Sequence, residues 1–200
     1  MKFDIICAMK INLPAIVLFM LPVLAGCLGP APKAPRNWLV EWTGPAAEEA
    51  NPAAPSVKLQ QLEVLAPYGG TRLAVMRSDG SIAFDAFNSF AAAPASLMRG
   101  AAFDAIEASG RFSRVVRPGS SAAADFSLEA TVVRLALDCR AEGRREASVA
   151  LVMTLVRGRS VVASSKAEAS APLEGGNFSA AFSRAFGDAA LAALKSLEVK

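Results

Sequence analysis

Most of the chain after residue 57 alternates hydrophobic and polar residues with a period of two, which is typical of β-strands that bury one face. Turn residues separate the alternating runs, and the pair Asp79-Gly80 favours a tight hairpin. The pattern predicts strands at 58–65, 72–77, 82–87, 112–116, 125–139, 147–156 and 161–171.

Two segments repeat their hydrophobic positions with helical spacing instead. Pro94 suits the first turn of a helix, and Gly110 suits the position just past its end, which predicts a helix that ends at Ser109. Asn177 is a preferred N-cap residue and predicts a second helix that runs to about Leu197.

The closing helix carries an aromatic stripe, because Phe178, Phe182 and Phe186 are spaced four residues apart on one face. Interpreted as core residues, they seal the helix onto the sheet, and a lipid-binding groove is the alternative. The order of strands and helices predicts an α+β fold, in which a mixed β-sheet carries two main helices. We expect the folded domain to span residues 57–200.

The first 26 residues have the composition of a secretory signal. Lys2 and Lys10 supply positive charge, and the apolar stretch 11–24 is shorter than the roughly 20 residues that a membrane-spanning helix needs. A Leu-Ala-Gly-Cys tetrad then ends at Cys27 and resembles the lipobox of bacterial lipoprotein signal peptides. The alternative is a chance occurrence of this tetrad after an ordinary signal peptide.

The lipobox resemblance implies cleavage between Gly26 and Cys27, a diacylglycerol group on the Cys27 sulfur and an acyl chain such as palmitate on its freed amine. Three acyl chains anchor a protein durably, since each buried CH₂ contributes about 0.8 kcal/mol. Leu28 rather than Asp follows Cys27, so we expect the protein on the periplasmic face of the outer membrane of a Gram-negative bacterium. Met9 would open a more conventional signal than Met1, and both starts stay open.

Residues 27–56 are rich in Pro and Ala, a composition that favours extended backbone and predicts a lipidated tether. Trp38, Val40 and Trp42 alternate within it and predict a short strand at 37–43. We favour docking of this strand on an edge of the domain, and insertion of both tryptophans into a lipid interface is the alternative. Trp38 and Trp42 are therefore candidate contacts with a partner or with lipid.

Composition excludes several kinds of function. The 21 Lys and Arg and 18 Asp and Glu give a net charge of +3 with both signs scattered, which argues against a nucleic-acid binder. The chain has no histidine and no phosphate-binding glycine motif, so catalytic triads, imidazole-based metal sites and ATP hydrolysis have no residues to carry them. We expect no enzyme, no cofactor beyond the acyl groups on Cys27, and no metal.

Two further features surround the predicted turn near residue 142. Cys139 is the only thiol that remains after signal cleavage and acylation, and its place at the end of an alternating apolar run predicts a buried strand residue rather than a redox centre. Arg144 and Arg145 lie at the turn itself, where they are either solvated or candidate contacts for lipid head groups or an acidic partner.

Several short motifs occur in the order found in one lipoprotein family. They are Ala66-Pro67-Tyr68, Phe90-Ala91-Ala92-Ala93-Pro94, Ser109-Gly110-Arg111-Phe112 and Ala124-Asp125-Phe126-Ser127-Leu128. On these motifs, residues 62–197 resemble the ABC-type transport auxiliary lipoprotein family, the lipoproteins of MCE-type intermembrane lipid transport systems. One departure is Phe90, where that family usually has Trp at the helix entry.

The resemblance implies a non-catalytic, outer-membrane-anchored lipoprotein subunit of an MCE-type ABC lipid transport system, which tethers or shapes the periplasmic conduit. The expected partners are a periplasmic MCE-family protein and, indirectly, an ABC permease and ATPase, with membrane lipid reached through the anchor and a homo-oligomer as an option. Two alternatives stay open. One is an assembly lipoprotein for another envelope machine, such as lipopolysaccharide delivery or a secretin, and the other is a periplasmic lipid-carrying module.

Overall fold

The computed structural model describes residues 34–46 and 49–198, and the leader with Cys27 and the alternative starts Met1 and Met9 lies outside these ranges. Within them the predicted α+β class, a mixed sheet with two helices, is confirmed. The strands are β1 (Arg36–Trp38), β2 (Val57–Val64), β3 (Arg72–Met76), β4 (Ile82–Phe90), β5 (Val115–Val116), β6 (Phe126–Asp138), β7 (Glu146–Arg157) and β8 (Ser160–Pro172). The helices are α1 (Pro94–Ala108) and α2 (Phe178–Ser196).

The sheet is organised around β6. One edge of β6 pairs antiparallel with β7 along nearly its whole length, and β7 pairs antiparallel with β8. The other edge is shared, because β2 pairs parallel with the first half of β6 and β3 pairs parallel with its last two residues. Beyond β2 lies β5, and beyond β3 lie β4 and then β1. The sheet therefore forks on one side of β6.

Both helices begin or end at residues that satisfy free backbone groups. Pro94 lies in the first turn of α1, and Ser109 just past its end donates its hydroxyl to the Ile106 carbonyl at 2.6 Å. The side-chain oxygen of Asn177 accepts a hydrogen bond from the backbone N–H of Ala180 at 3.1 Å and so caps α2. Both predicted helices are confirmed to within one or two residues at their ends.

The two helices cover one face of the sheet, and the apolar core lies between them and the strands. Phe182 and Phe186 are fully buried, and Phe182 meets the ring of Phe90 edge-on with centroids 5.4 Å apart. The interpretation of the aromatic stripe as core is confirmed. The prediction of Cys139 as a buried strand residue is wrong: it lies just past the end of β6, and it is half-buried against the same core.

Two predicted strands are shorter than the sequence pattern indicates. The strand predicted at 37–43 is reduced to β1, because the chain then leaves the sheet edge and crosses α2. The strand predicted at 112–116 is reduced to β5, because the Phe112 side chain is buried in the core before pairing begins at Val115.

A polar clamp joins the starts of β2 and β6. The Asp125 carboxylate accepts hydrogen bonds from the backbone N–H and the hydroxyl of Ser56, each at 2.7 Å, and the Ser56 hydroxyl accepts one from the Asp125 N–H at 3.0 Å. These bonds lower the pKa of Asp125 below its ordinary value of 3.8, since they stabilise the charged carboxylate. The clamp fixes the register in which Val57 lies opposite Phe126.

We expect Asp125→Asn to lower the free energy of unfolding at neutral pH, because an amide oxygen accepts these bonds more weakly than a carboxylate. The folded-state pKa of Asp125 is depressed, so its contribution is full above the unfolded pKa and is lost as pH falls through the folded value. Urea unfolding of wild type and variant between neutral pH and about pH 3 tests this. A difference that stays constant with pH, or that is as large in a Ser56→Ala background, would contradict the clamp.

Candidate functional site: a docked strap and an outer patch

The segment 36–46, which we call the strap, follows the leader and is docked on the domain from its first residues. β1 adds to the sheet by pairing parallel with the end of β4, with Trp38 opposite Phe90. The Trp38 indole N–H donates to the Asn88 side-chain oxygen at 2.9 Å, and its ring lies 5.3 Å from the ring of Phe178, centroid to centroid. Trp38 therefore joins the strap to both β4 and α2.

The strap then crosses α2. Val40 is buried, and the backbone N–H of Glu41 donates at 2.9 Å to the hydroxyl of Ser183, which is 1% exposed. The Trp42 ring lies over Gly187, where an added Cβ would come within 3.3 Å of it. Glycine at this position of α2 thus makes room for the indole.

A second feature lies on the sheet face opposite the helices. There Ala74 and Met76 of β3 lie opposite Phe84 and Ile82 of β4, so their side chains share one face. Ile82 and Phe84 are 40% and 38% exposed. Together with the neighbouring Tyr68 and Ala136 they form what we call the outer patch: Tyr68, Ala74, Met76, Ile82, Phe84 and Ala136.

Charged side chains adjoin the outer patch. The Arg72 guanidinium lies 5.2 Å from the centroid of the Phe84 ring, within range of a cation–π interaction. Met76 lies opposite Asp138 on β6. Asp138 is also one of the residues that line a groove of about 410 Å³, together with Arg140, Ala141, Arg144 and Glu146. Apolar and charged surfaces are therefore continuous at this end of the sheet.

Two ion pairs line the groove. Arg140 donates two hydrogen bonds to the Asp138 carboxylate, from its Nε at 3.0 Å and from a terminal nitrogen at 2.6 Å, and Arg144 pairs with Glu146. The hydrogen bond from Arg140 lowers the pKa of the Asp138 carboxyl, so this pair stays ionised at neutral pH. Both guanidinium groups already have carboxylate partners, an arrangement that suits recognition of a polar surface more than proton transfer.

The structure separates the residues that the sequence singled out. Trp38 and Trp42 lie half-buried in the strap with contacts inside the chain, and Arg144 lines the groove beside the outer patch. Arg145 is exposed and is not among the residues that line the groove, and its backbone carbonyl accepts a hydrogen bond from the Leu173 N–H at 2.8 Å. Gly26 and Cys27 lie outside the described residues.

The outer patch was missed by sequence reasoning. The alternation in β4 points the other way: Ile82 and Phe84 are hydrophobic, and Ala83 and Asp85 occupy the other face. In a strand with one buried face, the polar member marks the side turned to solvent. In β4 the polar Asp85 lies on the helix side and Phe84 lies on the outer face. The usual rule therefore places Phe84 in the core, which is wrong.

The described part of the chain has neither a candidate metal-binding cluster nor a candidate membrane-spanning helix. Residues 34–46 and 49–198 hold no group of three or more acidic or cysteine side chains arranged to bind a metal ion. No helix in the same ranges is both long enough and apolar enough to span a membrane.

Comparison with known proteins shows the fold. Protein XCC0632 from Xanthomonas campestris, described by the family model DUF330, matches with a TM-score of 0.56 and 20% identity over 80% of this chain and 87% of that one. A structure described as an uncharacterized protein matches with a TM-score of 0.55 and 10% identity, over 78% and 94%. The PelC dodecamer from Paraburkholderia phytofirmans reaches a TM-score of only 0.43 with 14% identity, over 78% and 96%.

No family model matches the chain, and no curated protein does. The assignment to the ABC-type transport auxiliary lipoprotein family is therefore wrong: the two structures above, with TM-scores of 0.56 and 0.55, are described as DUF330 and as uncharacterized, and identities of 20% or less show the fold alone. The physical reason is that the quoted motifs occupy turns and caps. Ser109 and Gly110 end α1, and Asp125 clamps β6, so these residues report the fold that needs them.

We expect Trp38→Ala to release the strap, because the change removes the ring contact with Phe178 and the hydrogen bond to Asn88. The chain has two tryptophans and both lie in the strap, so Trp42 is the only tryptophan left in Trp38→Ala and its fluorescence reports the docking of the strap. Trp42 emission should become more accessible to acrylamide, and the free energy of unfolding should fall by about 1–2 kcal/mol, within the usual range for one substitution.

Leu39→Ala is the matched control for this experiment, because Leu39 belongs to the strap but is 44% exposed. It should leave both quenching and stability near wild type. If the total tryptophan emission of wild type and of Trp38→Ala is quenched equally, Trp38 does not hold the strap.

Proposed function

We propose that this protein is a non-catalytic lipoprotein subunit of an envelope assembly, anchored through Cys27 to the periplasmic face of the outer membrane, and that it contacts its partner protein through the outer patch. The observation that carries the proposal is the docked strap. It ties the chain that leaves the lipobox to β4, the strand that also supplies Ile82 and Phe84 to the outer patch.

The strap shortens the path between anchor and domain. Cys27 and Arg36, the first residue of β1, are nine residues apart, and a fully extended chain spans at most about 3.6 Å per residue. An anchor at Cys27 would therefore hold β1 within roughly 30 Å of the membrane surface. Without docking, the free tether would run to about residue 56 and reach several times farther.

The outer patch has the composition of an interaction surface. Partly exposed aromatic and aliphatic side chains at its centre, Phe84 and Ile82, are bordered by Arg72 and by the paired charges of the groove. Protein interfaces commonly combine an apolar centre rich in aromatic residues with a polar rim in which arginine is frequent. The absence of histidine from the sequence agrees with a role in binding rather than catalysis.

The kind of partner stays a prediction. An MCE-family protein with its ABC permease and ATPase was expected from the family assignment, which is wrong, so the identity of the partner has to come from experiment. A secretin or a lipopolysaccharide delivery complex is the alternative, and a lipid-carrying module would need no protein partner at all.

We expect a photo-crosslinking amino acid placed at Phe84 in the full chain to capture an envelope protein in living cells. The same group placed at Arg99, on the exposed side of α1, is the matched control and should capture none. Mass spectrometry of the adduct identifies the partner class. In parallel, Cys27→Ser should abolish palmitate incorporation and release the protein from the outer-membrane fraction.

The two experiments test the lipid anchor and the outer patch independently of each other. Palmitate labelling that persists in Cys27→Ser would exclude the anchor, whatever is captured at Phe84. Equal capture at Phe84 and Arg99, or adducts at Phe84 that consist only of phospholipid, would exclude the outer patch as a protein-binding surface and favour a lipid-carrying module.

A further inference from the structure

β8 presents a long unpaired edge. It pairs with β7 on one side over its full length, from Ser160 to Pro172, and no strand in the described ranges pairs with its other side. The other outermost strands, β1 and β5, have only three and two residues. A long open edge offers unpaired backbone groups that can extend the sheet into another chain.

The sequence of β8 is self-complementary about Ala167. Lys166 and Glu168, next to it, are opposite in charge, Ser165 and Ala169 at the second position differ but are both small, and Ser164 and Ser170 at the third position are identical. Ala163 and Ala171 continue the symmetry at the fourth position. When two such strands run antiparallel with Ala167 opposite Ala167, each Lys166 lies directly opposite a Glu168 of the other copy.

Slipped registers are disfavoured by charge. Sliding one strand by two residues, the smallest shift that keeps each side chain on its face, places Lys166 opposite Lys166 or Glu168 opposite Glu168. Like charges directly opposite each other destabilise an antiparallel pair, whereas opposite charges stabilise it. Both side chains are partly exposed, at 60% and 47%, although Glu168 also pairs with Arg134 of β6 within the chain. The pattern therefore selects a single register.

The helix-side face of β8 is also compatible with a neighbour. Its residues there are small, namely Ala163, Ser165, Ala167, Ala169 and Ala171. The one polar member, Ser165, is buried and donates its hydroxyl to the Ala193 carbonyl of α2 at 2.8 Å. A second strand at this edge thus meets only small side chains on this face of β8. The hydroxyl of Ser165 already has its hydrogen-bond partner within the chain.

We infer that two copies of this chain pair through β8, antiparallel and centred on Ala167, so that their sheets join across a two-fold axis. The contact is isologous, since the same strand serves both copies, and it closes at a dimer. Lys166 and Glu168 form two salt bridges across the axis. Within one chain the Lys166 nitrogen lies 3.0 Å from one Glu168 oxygen, and Arg134 pairs with the other Glu168 oxygen. This inference does not depend on the identity of the partner at the outer patch.

A cysteine at the axis tests the pairing. In the full chain with Cys139→Ala, which removes the other thiol of the described domain, Ala167→Cys should form a disulfide-linked dimer under mild oxidation in cells. Directly opposite residues in antiparallel strands have Cα atoms about 4.5–5.5 Å apart, which is within disulfide range. Ala169→Cys is the matched control, because it lies on the same face and faces Ser165, not itself, across the axis.

We expect several-fold more covalent dimer at position 167 than at 169, and recovery of crosslinking when Ser165→Cys and Ala169→Cys chains are expressed together. Cys139→Ala alone reports any dimer formed through Cys27, so a failure of lipidation is recognised separately. Circular dichroism confirms that each variant is folded. Equal dimer at 167 and 169 would overturn the register, and no dimer at 167 in folded protein would overturn the pairing.

Charge exchange tests the same contact, and it is measured with the cysteine already placed at position 167. Lys166→Glu places two carboxylates opposite each other and should lower crosslinking through position 167 several-fold. Adding Glu168→Lys re-creates opposite charges across the axis and should restore it. Crosslinking that ignores both changes would show that Lys166 and Glu168 do not meet across the axis.

Discussion

The pairing of β6 with β7 along nearly the full length of both strands is the interaction on which the rest of the structure depends. Because β7 occupies one edge of β6, β2 and β3 have to share the other. The β2 branch carries β5 and supports α1, so it belongs to the core. The β3 branch carries β4 and β1, and with them the outer patch and the strap. Within the sheet, both features join β6 through two register pairs, Val75 with Leu137 and Met76 with Asp138, and the strap is held by α2 as well.

Local signals in the sequence were sufficient for most of the fold. Pro94 and Asn177 mark helix starts through their own backbone chemistry, and Gly80, with φ of +82°, forms the hairpin turn that the Asp-Gly pair predicts. The aromatic stripe ending at Phe186 identified the buried face of α2 because helical spacing alone determines which side chains share a face. These elements need no information from distant parts of the chain.

The candidate site could not be predicted in this way, because it depends on pairings between distant segments. Phe84 lies on the outer face because it pairs with Ala74, and the register of β3 and β4 then shifts between Ala74 and Arg72, where Asp85 accepts hydrogen bonds from two following N–H groups. Period-two reasoning fails across such an irregularity. Trp42 likewise follows the alternation of a strand, yet its position is set by the space above Gly187 on α2. The family assignment failed for a related reason: turn and cap residues report a fold that unrelated functions can share.

The parallel addition of β1 to β4 also determines a load path. Any tension on the chain ahead of Arg36 acts along β1, where the backbone pairing with β4 and the Trp38 contacts resist it together as a sliding displacement. Part of the load then passes through β4 and β3 into β6, and part enters α2 through the contact of Trp38 with Phe178. The sheet edge at the strap is thus a mechanical coupling, and the two-residue contact between β3 and β6 is the shortest strand pairing along it.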